Sequence, residues 1–313
     1  MATVLIAGGT GLIGTALTKA LVQKNYDVII LSREKKSVSE KNVSYSVWDI
    51  NSQTIDEESV KKADYIIHVA GANVGEKRWT KERKKEIVES RVNAAELLTK
   101  ALREIPNKVK AVISSSAIGY YGPDRENDNA KPFIESDPPY NDFLATTVQK
   151  WESAMQPVKE QGKRLVFFRT GIVLSNEGGA YKEFKKPLKF GLASILGDGN
   201  QIISWIHIDD LVRLYIDAIE NENWNGVYNA VAPNPVSNQQ LIKEMAKQAK
   251  GFHITARVPS PVLKIVLGEM SVEVLKSTTV SAEKVQKAGF KFLFSTIQEA
   301  VSSLSDSYLG FPL

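Results

Sequence analysis

The chain has 313 residues, 43% of them hydrophobic and 24% charged, with a formal net charge of +4, so it can bury a sizeable core and has the composition of an ordinary globular protein. It holds no cysteine, which excludes disulfides, thiolate catalysis and cysteine-ligated metals. Its basic residues are scattered rather than gathered in one tract, so nucleic-acid binding is not indicated, and without a leader-like segment or a run of ~18–20 apolar residues a cytoplasmic protein is expected.

Ala2–Ala7 reads as a buried strand that enters the turn Gly8-Gly9-Thr10-Gly11-Leu12-Ile13-Gly14, with a helix over Leu12–Gln23. Glycines at these positions let the backbone bend sharply and approach a pyrophosphate, and the helix start aims its free N–H groups at that anion. Asp27–Leu31 is the next strand and runs into Ser32-Arg33. This is roughly 20 residues after the turn, where an NAD-binding chain places an acid on the ribose. A guanidinium there suits the 2′-phosphate of NADP(H) instead, and Lys35 and Lys36 add to the local positive potential.

Val43–Val47 is expected as a strand, Asp56–Lys62 as a short helix, Asp64–Ala70 as a buried strand and Thr80–Arg103 as a long amphipathic helix. Val109–Ser114 follows as a strand, Asn141–Gln161 as a helix and Arg164–Arg169 as a strand. Such alternation specifies a doubly wound parallel α/β sheet, with ligands in the loops after Ala70, Ser114 and Arg169. From Gly178 to Gly199 the chain reads as a loop-rich basic excursion, after which Ile202–Ile208 resumes a strand and Asp209–Ile219 a helix capped by Asp209. The expected division is a dinucleotide-binding domain over residues 1–175, to which 206–232 returns. A smaller C-terminal substrate lobe takes 176–205 and 233–313. Of the three histidines, His68 lies in an apolar strand and reads as core. His207, before a helix, reads as a structural hydrogen-bonding residue or a substrate contact. None of them has ligand spacing, so no metal site is expected.

Several segments carry a family resemblance: Ser114-Ser115-Ser116-Ala117-Ile118-Gly119-Tyr120-Tyr121-Gly122, Phe143-Leu144 with Trp151-Glu152, and Ser204-Trp205-Ile206-His207-Ile208-Asp209-Asp210. Tyr228 to Pro235, Leu267-Gly268-Glu269-Met270 and Ala288-Gly289-Phe290 extend it to nearly the whole chain. The sequence resembles the extended short-chain dehydrogenase/reductases of the NAD-dependent epimerase/dehydratase superfamily, and more narrowly their atypical, YfcH-type epimerase family branch with its small C-terminal domain of unknown role. The resemblance implies a Rossmann-like fold with NAD(P) on the glycine turn, Asp49-Ile50 near the adenine and Ala70-Gly71-Ala72 passing the cofactor. Arg169, Gly171 and Ile172 would border the nicotinamide.

The resemblance also implies hydride chemistry run by a serine, a tyrosine and a lysine one helical turn after the tyrosine. Counted back from Glu152, the lysine position is Val148 and the tyrosine position Leu144, and neither can transfer a proton. Ser116 aligns with the family serine, with Ser114 as an alternative that would then lie at the cofactor. Tyr140 is a displaced tyrosine candidate, about 5 Å too early along a helix. Tyr120, Tyr121, Trp205 and His207 would face the substrate. Arg91 replaces a family asparagine and would bind a cofactor phosphate or a substrate oxyanion, or else pair with Glu86 or Glu89. The expected function is that of an NADP(H)-dependent oxidoreductase or epimerase acting on a small polar or anionic substrate, with a homodimer left open. The alternative is a non-catalytic NADP(H) sensor.

Overall fold

The computed structural model describes residues 1–34, 41–125, 131–249 and 251–305; Lys35 and Lys36 lie outside them. The strands are β1 (Thr3–Ala7), β2 (Asp27–Ser32), β3 (Val43–Asp49), β4 (Thr54–Ile55), β5 (Tyr65–His68), β6 (Ala111–Ala117), β7 (Arg164–Thr170) and β8 (Ile172–Leu174). They continue with β9 (Leu192–Leu196), β10 (Ile202–Ile203), β11 (Trp205–His207), β12 (Gly226–Ala230), β13 (Val236–Ser237) and β14 (Ile254–Val258). The helices are α1 (Leu12–Gln23), α2 (Glu57–Lys62), α3 (Lys81–Glu104), α4 (Phe143–Met155), α5 (Pro157–Glu160) and α6 (Gly179–Leu188). After them come α7 (Ile208–Glu220), α8 (Asn238–Gln248), α9 (Ser260–Leu267), α10 (Ser271–Leu275), α11 (Glu283–Lys287) and α12 (Ile297–Ser303).

Eight strands form one sheet in the order β12-β7-β6-β5-β1-β2-β3-β4, parallel except for the antiparallel β3–β4 edge. The alternation of β1 decides the layers: Val4 and Ile6 join Leu17 and Leu21 of α1 and Leu211, Leu214 and Tyr215 of α7 on one face. Leu5 and Ala7 join Val60, Leu97, Leu98, Trp151 and Met155 from α2, α3 and α4 on the other. Successive side chains of a strand point to opposite faces, so a continuous apolar run is what a sheet covered on both sides requires. The result is the expected doubly wound, Rossmann-like sheet. Strand order reverses between β1 and β5, whose partners lead away in opposite directions, and that crevice is where such folds bind ligands.

A further core collects Tyr181 and Leu188 of α6, Ile195 of β9, Leu241 and Met245 of α8, and Ile297 and Val301 of α12. The expected loop-rich excursion is therefore largely α6 and β9. The expected helix Asn141–Gln161 begins two residues late, behind the Asp142 cap, and breaks into α4 and α5 at Pro157, because proline cannot donate the hydrogen bond that would continue α4. The strand expected at Ile202–Ile208 is split between β10 and β11. Among the described residues no helix is long and apolar enough to cross a membrane.

Candidate functional site

The glycine turn lies at the strand-order reversal. Gly8 has φ +90° and sits so close to the end of β5 that a Cβ on it would lie 2.7 Å from the Ala70 nitrogen; a Cβ on Gly14 would lie 2.2 Å from the Gly8 carbonyl oxygen. Only glycine permits this packing of strand, turn and helix. Gly11 caps α1 without a side-chain acceptor, so the first-turn N–H groups keep their capacity for an anion. Gly178, just before α6, rests on the Leu12 side chain and forms a wall beside the turn. Across the crevice, the Ala72 amide donates to Ser90 Oγ at 3.0 Å, which fixes the Ala70–Ala72 segment to α3.

At the end of β2, Ser32 is buried and accepts the Glu34 amide, while Arg33 is exposed. Beyond β3, Asp49 is exposed, and the Ser52 hydroxyl with the Asn51 and Ser52 amides holds its carboxyl below the usual range. The following loop is tied to α3 by Gln53, whose Nε2 donates to the carbonyls of Ile50 and Asn93.

Behind the crevice lies a buried polar network. Ser116 Oγ donates to Glu152 Oε1 at 2.6 Å, and Arg169 grips the same carboxylate through Nε and Nη2, each at 2.9 Å. Arg169 Nη1 donates to the Tyr121 hydroxyl, which donates to Asn229 Oδ1 at 2.7 Å; the Asn229 amide donates to Glu135 Oε1. Burial pushes the Tyr121 phenol up to about 12. This geometry corrects several expectations. Arg169 is 3% exposed and serves Glu152 rather than the nicotinamide. Tyr121 is consumed by Arg169 and Asn229 rather than facing a substrate. Because β6 runs on to Ala117, Ser114 lies mid-strand and fully buried, and it donates to the Ser115 carbonyl. Asn229 and Glu135 escaped notice in the sequence, although a polar residue inside the buried run Val227-Tyr228-Asn229-Ala230 was a signal.

Two more expectations fail for the same kind of reason. Trp205 is fully buried and donates Nε1 to the Asn234 carbonyl. His207, not Asp209, caps α7: its Nδ1 accepts the Asp209 amide, its Nε2 meets Ser303 Oγ at 3.1 Å, and its ring packs on Phe294 at 4.0 Å. Neither side chain is left to touch a substrate. Burial holds His207 down to about 4.

On α4, at the two positions counted back from Glu152, Leu144 packs on Gly119 and Val148 is buried. Tyr120 is partly buried, with its ring 3.4 Å from the Arg169 guanidinium carbon. Tyr140 lies before α4, exposed, its ring over Gly122 and its amide donating to the Tyr120 carbonyl at 2.9 Å. Gly171 presses on the Ser204 carbonyl, and Ile172 is exposed beside it. Among the described residues no group of three or more His, Asp or Glu side chains converges to hold a metal ion.

The chain matches the NAD dependent epimerase/dehydratase family over residues 4–230 and a domain of unknown function (DUF1731) over residues 258–304. An epimerase family protein of Staphylococcus saprophyticus is 37% identical over 96% of this chain and 98% of its own length. The crystal structure of a human epimerase family protein with NADPH superposes with a TM-score of 0.86 at 28% identity, covering 98% of this chain and all of that one. A nucleoside-diphosphate sugar epimerase from Corynebacterium glutamicum gives a TM-score of 0.76 at 30% identity, over 97% of this chain and 58% of that one.

Proposed function

The chain belongs to the NAD dependent epimerase/dehydratase family, and from that premise we propose that it is an NADP(H)-dependent oxidoreductase or epimerase acting on a small polar or anionic substrate. The observation that carries the cofactor reading is the pairing of an uncapped α1 N-terminus behind the glycine turn with an exposed Arg33, rather than an acid, at the end of β2. In this reading the backbone of Gly8–Gly14 takes the pyrophosphate, Asp49 and Ile50 flank the adenine, Arg33 reads the 2′-phosphate, Ala70-Gly71-Ala72 passes the cofactor, and Gly171 and Ile172 border the nicotinamide. The human relative's structure with NADPH supports the choice of cofactor, and the Corynebacterium relative's name supports a phosphorylated, sugar-like substrate.

Arg33→Ala is expected to weaken NADPH by about 10–100-fold, the value of a charge-assisted contact, and to leave NADH nearly unchanged. Equal loss for both cofactors in calorimetric titrations refutes the role of Arg33.

When bound, the nicotinamide supplies the hydride step. The chain would then run its proton transfers without a tyrosine–lysine pair, since Leu144 and Val148 hold those positions, leaving Tyr120 and Tyr140 as the phenols beside the crevice. A second reading, a non-catalytic NADP(H) sensor, is favoured by one observation: the Ser116 hydroxyl is already committed to Glu152. Screening NADPH oxidation against carbonyl and enone substrates separates the two. Turnover lost in Tyr140→Phe or Tyr120→Phe supports the enzyme, and tight NADPH binding with no turnover across the panel supports the sensor.

A further inference from the structure

Where the resemblance expects a lysine, α4 carries Val148, which is buried. One helical turn further, the Trp151 indole has the Arg91 guanidinium 5.3 Å from its ring centre, reaching across from α3. Arg91 also lies on the backbone of Gly71, where a Cβ would come 3.0 Å from its guanidinium carbon. The side chain is partly buried, and its hydrogen bond goes to the Ile87 carbonyl at 2.9 Å. The ion pairs open to it from the sequence do not form. Arg83 takes Glu86 at 2.7 Å, and Lys85 lies by Glu89. Among the described residues no carboxylate comes within ion-pair distance of Arg91.

A guanidinium has five N–H donors and needs acceptors for them when it leaves water. Burial, followed by the like charge of Arg83, lowers the Arg91 pKa to about 10, so the folded protein without a ligand holds this charge at a cost. The guanidinium lies against Gly71 of the Ala70-Gly71-Ala72 segment, whose Ala70 packs on Gly8 of the glycine turn.

We infer that Arg91 is an oxyanion-binding residue of the crevice, supplying from α3 the positive charge that α4 lacks at Val148. The inference rests on the crevice being the ligand site of the proposed function. A phosphate or carboxylate oxygen is the shared chemistry, and its source is either the dinucleotide's pyrophosphate or an oxyanion of the substrate.

The test uses the full chain as wild type, Arg91→Met and Arg91→Lys. It measures the ligand-free melting temperature and the affinities for NADPH, for adenosine 2′,5′-bisphosphate, which lacks the pyrophosphate, and for inorganic phosphate on NADPH-loaded protein. Arg91→Met is expected to melt no lower than wild type, because it removes an unpaired cation, whereas a merely structural arginine would leave a less stable protein. A loss of about tenfold or more for NADPH with adenosine 2′,5′-bisphosphate unchanged assigns the pyrophosphate. The same loss for phosphate on loaded protein, with NADPH unchanged, assigns a substrate oxyanion. Arg91→Lys should recover part of whichever affinity falls. Wild-type affinity of Arg91→Met for all three probes overturns the inference. If wild type binds no NADPH, the cofactor reading fails by itself, and phosphate binding to the free protein, with and without Arg91, still decides this one. Arg91→Gln replaces the Met variant if that does not fold.

Discussion

At the residue scale, Glu152 carries the most obligations of any carboxylate in the buried network. Arg169 and Ser116 both depend on it, and Arg169 is nearly sealed from solvent. Breaking one partner of a buried, bidentate pair strands the other charge, whereas replacing both with apolar groups removes the problem. Glu152→Gln should therefore cost about 3–5 kcal/mol in urea unfolding, and the double replacement Glu152→Leu, Arg169→Met much less than the sum of the singles. A double mutant as unstable as that sum would contradict this account. Ser116, Ser114, Arg169 and Tyr121 looked like site residues because the sequence tells which residues end a strand but not which side of it each faces. Once β6 is seen to run to Ala117, Ser114 is buried mid-strand on the Ser115 carbonyl, while Ser116 and Arg169 meet on Glu152 and Arg169 reaches Tyr121. The glycine turn and Arg33 were legible because their signal is local: a backbone bend and a charge at fixed spacing.

At the element scale, the helices and strands with strong periodicity were placed to within a few residues: α1, α3, β2 and β6 are examples. Among the elements that escaped, α6 is the largest within the expected loop-rich excursion. Its apolar residues Tyr181, Phe184 and Leu188 follow a helical spacing, but Lys182, Lys185, Lys186 and a proline at position 187 crowd the same stretch and hide it. The helix forms because that apolar stripe packs on α8 and β9, a tertiary gain the local sequence does not announce. The α1 junction makes a sharper demand. Gly14→Ala would drive a Cβ into the backbone of Gly8 and Gly9, and such overpacking costs about 1–3 kcal/mol. Thermal unfolding should register that loss, and titration should register weaker NADPH binding; a variant with native affinity would show that the turn can open without consequence.

At the scale of the whole molecule, two buried histidines couple stability to acidity. Burial, and the neighbouring Arg91 charge, hold His68 down to about 3, and burial holds His207 down to about 4, whereas both take up protons near pH ~6.5 when unfolded. Stability is therefore fully present above that pH and is lost as the pH falls toward 4, by about 1.4 kcal/mol per unit for each histidine. Asp209, 3.6 Å from His207, and Asp210 both have raised affinities for protons through burial and oppose this trend at the acid end. Urea midpoints at about pH 7.5 and about pH 5 should differ, and the difference should shrink in His207→Asn; an unchanged difference would exonerate His207. The same scale reveals how the two matched regions are joined. Asp124 and Phe133 of the first exchange backbone hydrogen bonds with Ser277, Thr279 and Ser281 of the second, the Asp124 carboxylate takes the amide and hydroxyl of Thr279, and Asp210 accepts the amides of Leu293 and Phe294. Two families that sequence comparison can cut apart are stitched together seam by seam. A chimera that trades residues 258–304 between relatives will inherit a foreign half of each of these stitches unless Asp124, Phe133 and Asp210 travel with it.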